Sequence, residues 1–126
     1  MDLTPLIPSG RQIVESYGEG RFRVTGQIHQ GAIIIFPERT LAWPVASAAE
    51  ASLENLEPIL AAGRARTVEL LLFGQGPRML LVPPALRQGL REAGIVLEPM
   101  DTGAACRTYN VLMAEGRLVA AALIPV

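Results

Sequence analysis

The chain has 126 residues, of which 50% are hydrophobic and 18% charged, and 11 basic against 12 acidic residues give a formal charge of -1. Every basic residue is an arginine, and the chain contains a single histidine, His29, and a single cysteine, Cys106. This length predicts one domain, residues 1–126, with a core of its own. The scattered arginines form no basic stripe, which argues against a nucleic-acid partner.

The front of the chain predicts antiparallel β structure. Gly18-Glu19-Gly20 is a tight turn between residues 12–17 and the alternating run 21–25, which is the pattern of an N-terminal β-hairpin. The apolar and β-branched run 32–36 predicts a strand covered on both faces. A turn at residues 37–39 leads into a further predicted strand, residues 40–43, which ends at a proline.

From Ser52 onward, predicted helices alternate with predicted strands. Ser52 is a natural N-cap for a helix whose apolar residues recur at helical spacing and which Gly63 ends. The later predicted elements are a strand at residues 67–73, a short extended piece at 79–82, a helix from Pro83-Pro84 to Gly94, a strand at 95–97, a helix from Asp101 or Thr102 to about Glu115, and a strand at 118–124. This order predicts an α/β fold in which about three helices pack on a mixed sheet.

Gly74-Gln75-Gly76 follows a predicted strand, a place where glycines let backbone N–H groups approach a phosphate. The third glycine of the dinucleotide fingerprint is replaced by Met79, and a phosphate loop needs a lysine, which the chain lacks. The alternative interpretation is an ordinary turn in which glycine adopts a positive φ. In the first interpretation Gly74 and Gly76 are candidate binding residues.

Polar side chains gather at the predicted start of the third helix, and the candidates among them are Asp101, Thr102, Arg107, Thr108, Tyr109 and Asn110. Ligands of open α/β sheets bind beyond the carboxyl ends of strands, so this helix start and the glycine turn are expected to share a crevice. An anionic ligand there would meet helix N–H groups and the Arg107 guanidinium. In the structural alternative, Asp101 or Thr102 caps the helix, Tyr109 packs in the core and Asn110 holds a neighbouring loop.

One histidine and one cysteine leave few routes to catalysis or metal binding. A helix start lowers a thiol pKa, which would make Cys106 a nucleophile. A small thiol beside alanines is more typical of helix packing, and no base is placed next to it. A zinc site cannot be assembled from His29, Cys106 and scattered carboxylates. The sequence therefore predicts no catalytic residue, no metal and no cofactor.

Four arginines that are expected to be exposed indicate what kind of partner the protein would bind, and the two ends of the chain indicate its location in the cell. Arg64, Arg66, Arg87 and Arg91 would meet an acidic partner or form surface pairs worth under about 1 kcal/mol each. Residues 1–9 lack a cationic segment followed by an apolar signal core, and a lone cysteine suits a reducing compartment, so a cytoplasmic location is expected. Residues 118–126 are too short, against the roughly 20 needed, to span a bilayer. Peripheral membrane attachment stays open.

Residues 100–124 carry a recognisable pattern. Met100-Asp101-Thr102, then Arg107-Thr108-Tyr109-Asn110, Glu115-Gly116-Arg117 and an alanine-rich last strand resemble the Mth-type domain family, which includes the mitochondrial complex I assembly factor 3. The front of the chain is compatible, with Tyr17-Gly18-Glu19-Gly20 in the hairpin, so the resemblance covers essentially the whole chain.

The resemblance implies a three-layer α/β fold with a central mixed sheet and no established catalysis. It implies a non-enzymatic binding or assembly module with a protein partner, assisting assembly of a respiratory or membrane-associated complex. The alternative is a small-molecule binding protein or enzyme that holds an anionic ligand between the Gly74-Gly76 turn and the start of the third helix.

Overall fold

The strands form two sheets in a computed structural model that describes residues 10–126. The first sheet is antiparallel and contains three strands in the order β1-β2-β3, which are β1 (Val14–Gly18), β2 (Arg21–Val24) and β3 (Gln27–Gln30). The β1–β2 pair confirms the predicted hairpin, with Gly18 and Gly20 both at positive φ in the turn. The third strand extends that hairpin into a meander.

The second sheet is the central mixed sheet that the α/β pattern predicted. Its strand order is β5-β4-β8-β6-β7, in which β6, β7 and β8 are parallel and β4 runs antiparallel to both of its neighbours. The bounds are β4 (Ile33–Ile35), β5 (Thr40–Ala42), β6 (Leu70–Gly74), β7 (Val96–Met100) and β8 (Val119–Leu123). The helices are α1 (Glu57–Arg64), α2 (Pro84–Glu92) and α3 (Thr102–Ala114), with a 3₁₀ turn at Ala48–Glu50.

Apolar layers lie on both faces of the central sheet. On one face Ile34, Leu71 and Phe73 pack with residues of α1 and α2, and on the other face Ile33 and Ile35 pack with α3 and the three-stranded sheet. The β-branched run of β4 is therefore buried on both faces, as its unbroken apolar sequence predicted. Alanines at β8 positions 120–122, all fully buried, let the helices lie close to the sheet.

The first helix differs from its prediction at both ends. It was expected to run from Ser52 to Gly63, whereas α1 spans Glu57–Arg64 and residues 52–56 form hydrogen-bonded turns held by Asn55. Gly63 lies inside the helix. Glycine is needed at this position because a Cβ would stand 2.5 Å from the carbonyl oxygen of Ala93. Close packing against the loop after α2, not helix termination, explains this glycine.

Residues 79–82, predicted as a short extended piece, form no hydrogen-bonded strand. These residues form a loop without a strand partner, and the apolar run that suggested a strand is largely exposed. The third helix agrees with its prediction: Asp101 is the N-cap, accepting a hydrogen bond from the Ala104 amide, and Glu115 is the C-cap. The expectation about a signal segment concerns residues 1–9, which lie outside the described residues.

Candidate functional site

The Gly74-Gln75-Gly76 turn and the start of α3 lie side by side and are joined by hydrogen bonds. The Gly76 amide donates to the Thr102 hydroxyl oxygen at 2.8 Å, and that hydroxyl donates to the Ile124 carbonyl at 2.6 Å. The Thr102 amide in turn donates to the Gly76 carbonyl at 3.2 Å. Thr102 is fully buried, so its hydroxyl fills the place between the turn, the helix and the end of β8.

Each glycine of the turn has a structural reason. A Cβ on Gly74 would lie 2.9 Å from a Leu123 methyl and 3.1 Å from the Thr102 Cα, so glycine permits α3 to approach β6. Gly76 has φ of +91°, a conformation that favours glycine. The Gln75 amide donates to the Met100 carbonyl, and its buried side chain accepts a hydrogen bond from the Leu80 amide at 2.7 Å.

Tyr109 and Asn110 face the three-stranded sheet. The buried Tyr109 hydroxyl donates to the Gln12 carbonyl at 3.0 Å, and burial raises the pKa of Tyr109 above its ordinary value. The Asn110 side chain accepts from the Val14 amide at 3.0 Å and donates to the Val14 carbonyl at 2.8 Å. An amide side chain thus pairs with β1 as a neighbouring strand would.

Arg107 is the exposed cation of the group. Its Nη1 lies 3.4 Å from the Tyr17 hydroxyl, which sits over Gly103 because that residue has no side chain. Asp101 is exposed at the helix cap, and Thr108 is half-buried on a different side of α3 from Arg107. Within residues 10–126 Arg107 forms no ion pair with Asp101 or Glu98, the two partners a structural role would offer.

Cys106 lies in the packed layer between α3 and the sheet. Desolvation by burial raises the pKa of its thiol to about 12, and the nearby Arg107 only partly opposes this. The helix start therefore does not make Cys106 a thiolate at neutral pH. Within the described part of the chain, no three His, Cys, Asp or Glu side chains converge as a metal site would require.

The structure thus brings Gly74, Gly76, Asp101 and Thr102 together and turns Tyr109 and Asn110 toward the hairpin. The hydroxyls of Thr102 and Tyr109 and the side-chain amide of Asn110 all form hydrogen bonds within the fold. Arg107 and Asp101 remain accessible to a ligand. Anion binding at this end of the sheet stays a prediction.

The sequence interpretation missed a second feature, an exposed apolar loop at residues 77–83. Leu81 is 95% exposed, Met79 54% and Leu80 47%, and they follow one another in the chain. The available signal was the flanking prolines, Pro77 and Pro83-Pro84, which disfavour a strand here. The loop lies beside a hollow of about 320 Å³ whose apolar lining includes Ile124 and Pro125.

Membership in a family follows from comparison with known sequences. A family described as "Protein of unknown function (DUF498/DUF598)" matches residues 14–124, and the chain belongs to this family. That range includes both sheets and all three helices described above.

Three proteins illustrate what this chain is similar to. An uncharacterised protein of Rhodobacter capsulatus is 37% identical, over 93% of this chain and 87% of its own length. The NADH dehydrogenase [ubiquinone] 1 alpha subcomplex assembly factor 3 of Xenopus tropicalis is 34% identical over 89% of this chain, which spans only 60% of that protein. A solved Mth938-like domain from Bordetella pertussis has a TM-score of 0.83 and 34% identity, covering 99% of this chain and 92% of the other.

These comparisons confirm the Mth-type resemblance and the α/β fold with a mixed central sheet. They include proteins named NADH dehydrogenase [ubiquinone] 1 alpha subcomplex assembly factor 3. Within residues 10–126, none of the helices combines the length and the apolar character needed to cross a bilayer.

Proposed function

We propose that this chain is a non-enzymatic binding module of the assembly-factor type, which holds a protein partner while a respiratory or membrane-associated complex is put together. Membership in a family whose relatives include assembly factor 3 supports the proposal. The shortage of catalytic side chains supports it as well, since Cys106 is buried with a raised pKa.

The observation that carries the proposal is the apolar loop, residues 77–83. Three consecutive large aliphatic side chains at its tip are about half exposed or more, although the rest of the chain buries an ample core. Contiguous exposed apolar surface on a soluble domain marks an interaction site. Aliphatic side chains at the centre of a protein interface supply binding energy when the partner removes them from water.

The loop is anchored so that its tip stays presented. The Gln75 side chain accepts a hydrogen bond from the Leu80 amide at the tip, and Val82, near the end of the loop, is buried. The adjoining hollow, with Ala46, Ala48 and Ile124 in its lining, would receive an apolar side chain of the partner. Arg78, a residue of the loop, lines the hollow and would favour an acidic residue on the partner's rim.

Replacing Leu81 by Asp tests the proposal. We expect tagged wild-type chain, cross-linked in its native host, to recover a protein partner that Leu81→Asp loses at least tenfold. The matched control is Val111→Asp, since Val111 is a 57%-exposed aliphatic residue on α3. Both variants should melt within a few degrees of the wild type, because neither side chain supports the core.

Loss of the partner from both variants, or from neither, would place the interface elsewhere. Recovery of the domain alone together with a turnover activity mapped to its own residues would overturn the non-enzymatic proposal. Fractionation of the same host tests the accompanying proposals that the chain is cytoplasmic and associates peripherally with a membrane complex.

Anion binding at the α3 start is the second candidate function, favoured by the exposed Arg107 guanidinium beside the Tyr17 hydroxyl. We expect inorganic phosphate or a nucleotide to raise the melting temperature of the wild type but not of Arg107→Ala. Arg117→Ala, which removes an exposed arginine from the opposite end of the sheet, is the control. No shift for the wild type across a broad panel of anions would rule this candidate out.

A further inference from the structure

Sheet edges in this fold are closed by different devices, and one edge is left open. Within residues 10–126 the edge strands are β1, β3, β5 and β7. At β1, the Val14 amide and carbonyl that point away from β2 are both taken by the Asn110 side chain, at 3.0 and 2.8 Å. The edge of β1 is therefore unable to pair with another chain at that point.

The two edges of the central sheet are also protected. In β7, Val96 and Met100 bond toward β6, so Leu97 and Pro99 face outward. The Leu97 carbonyl accepts a hydrogen bond from Arg87 at 3.0 Å, and Pro99 has no N–H to offer. At the opposite edge, β5 has three residues and the chain reaches Pro44 two residues later, which leaves little to pair with.

The edge of β3 carries none of these devices. The Gly31 amide bonds to the Gly20 carbonyl, and because successive residues alternate, Gln27 and His29 bond toward β2. The amides and carbonyls of Ile28 and Gln30 therefore point outward, and no group in residues 10–126 bonds to them. The strand has no charge and no proline, and Ile28 is 55% exposed.

We propose that the open edge of β3 pairs antiparallel with β3 of a second copy of this chain. A two-fold axis through His29 sets Ile28 of one copy opposite Gln30 of the other. The outward groups then form about four backbone hydrogen bonds, and the three-stranded sheet continues across both copies. This register uses every outward-facing group of the strand.

Self-pairing suits the side chains around the axis. The two Ile28 side chains become diagonal neighbours on the outer face, within reach of each other and shielded from water. Arg21 and Arg23 lie on the same face one strand away, so the arginines of the two copies stay separated by both β3 strands. The two His29 side chains face each other across the axis, and no arginine or carboxylate is placed directly opposite a like charge, which would destabilise a cross-strand pair.

The test is the oligomeric state of the purified chain measured by light scattering and by amide hydrogen exchange. A four-residue strand buries little area, so we expect a weak dimer that forms over roughly a hundredfold rise in concentration. Exchange at the Ile28 and Gln30 amides should slow over the same range. Ile28→Lys should abolish the dimer and the protection, since an edge lysine blocks strand pairing.

Val111→Lys is the matched control and should dimerise like the wild type, because Val111 is an equally exposed aliphatic residue on α3. Far-ultraviolet circular dichroism and the melting temperature report whether Ile28→Lys remains folded. A chain that is monomeric at every concentration overturns the proposal, and so does a dimer that survives Ile28→Lys. Binding of an extended peptide to this edge by a chain that never self-associates would likewise overturn it.

Discussion

Thr102 shows how one hydroxyl can occupy a place that the sequence suggested for a ligand. It accepts from the Gly76 amide and donates to the Ile124 carbonyl, so it joins the glycine turn, the start of α3 and the end of β8. The cluster of polar side chains at the start of the third helix suggested a binding site, but the sequence did not show whether these side chains face outward or inward. Here the buried position of Thr102 directs its hydroxyl to the backbone.

Removing this hydroxyl should destabilise the fold. Thr102→Val keeps the shape of the side chain but leaves a buried amide and a buried carbonyl without their partner, each costing about 1–3 kcal/mol. We expect the free energy of unfolding, measured with urea, to fall by about 2–6 kcal/mol. Thr108→Val, at a half-buried position of the same helix, should change it by less than about 1 kcal/mol. Equal effects of the two substitutions would contradict this role.

The thiol of Cys106 makes the stability of the folded protein depend on pH in the alkaline range. Its folded pKa of about 12 lies above the ordinary value of 9.0, so between these values the unfolded chain has lost a proton that the folded chain keeps. Unfolding is then favoured as pH rises, and the thiol's contribution is complete below about pH 9 and lost toward pH 12. The raised pKa of Tyr109 acts in the same direction.

We expect the urea midpoint to decline above about pH 9 and to decline less in Cys106→Ala. Alkylation with iodoacetamide gives an independent readout, because a buried thiol should react in the native state only as fast as the protein opens. Rapid labelling of the folded chain at neutral pH would mean that the thiol is accessible and that this account of Cys106 is wrong.

At the scale of elements, the three helices end in the same way with different residues. After α2 and α3 the left-handed residue is glycine, Gly94 with φ of +83° and Gly116 with φ of +79°. After α1 it is Arg66, with φ of +62°. The hydrogen bonds from Arg66 to Gly63 and from Thr67 to Ala62 are those of the same C-terminal motif. A side chain in this conformation is strained.

Arg66→Gly should therefore stabilise the protein by about 0.5–1 kcal/mol, the relief of strain less the greater entropy of glycine in the unfolded chain. Chemical denaturation measures the change. Arg64→Gly, inside the last turn of α1, should instead destabilise by about 1 kcal/mol, since glycine is a poor helix former and the pair with Glu57 is lost. A loss of stability in Arg66→Gly would show that the Arg66 side chain makes a stabilising contact.

The predicted boundary of α1 failed for a related reason. A glycine after a run of helical periodicity is normally read as a helix end, but Gly63 is needed for its lack of a Cβ beside Ala93 and Ile95. These neighbours come from the loop after α2, about thirty positions further along the chain. By contrast Asp101 and Gly116, whose roles are local, marked the ends of α3 correctly.

For the molecule as a whole, protection of the β7 edge should matter for solubility. Arg87→Ala frees the Leu97 carbonyl, and Pro99→Val restores an outward N–H, so the double variant opens a continuous hydrogen-bonding edge. We expect it to aggregate at concentrations at which the wild type stays clear, as measured by light scattering. Arg91→Ala, which removes an exposed charge of α2 away from that carbonyl, is the control. Equal solubility of all variants would show that this edge is closed by other means.

The amino-acid pattern by itself determined the α/β class, the front hairpin, the buried β4 run and the third helix with its cap. These features depend on residues close in sequence, through periodicity, turn glycines and capping side chains. The family could also be recognised from residues 100–124. Tertiary structure alone decided that the Thr102 and Asn110 side chains are turned to the backbone and that Gly63 is a packing residue. Each of these depends on neighbours distant in the chain, which no local pattern records.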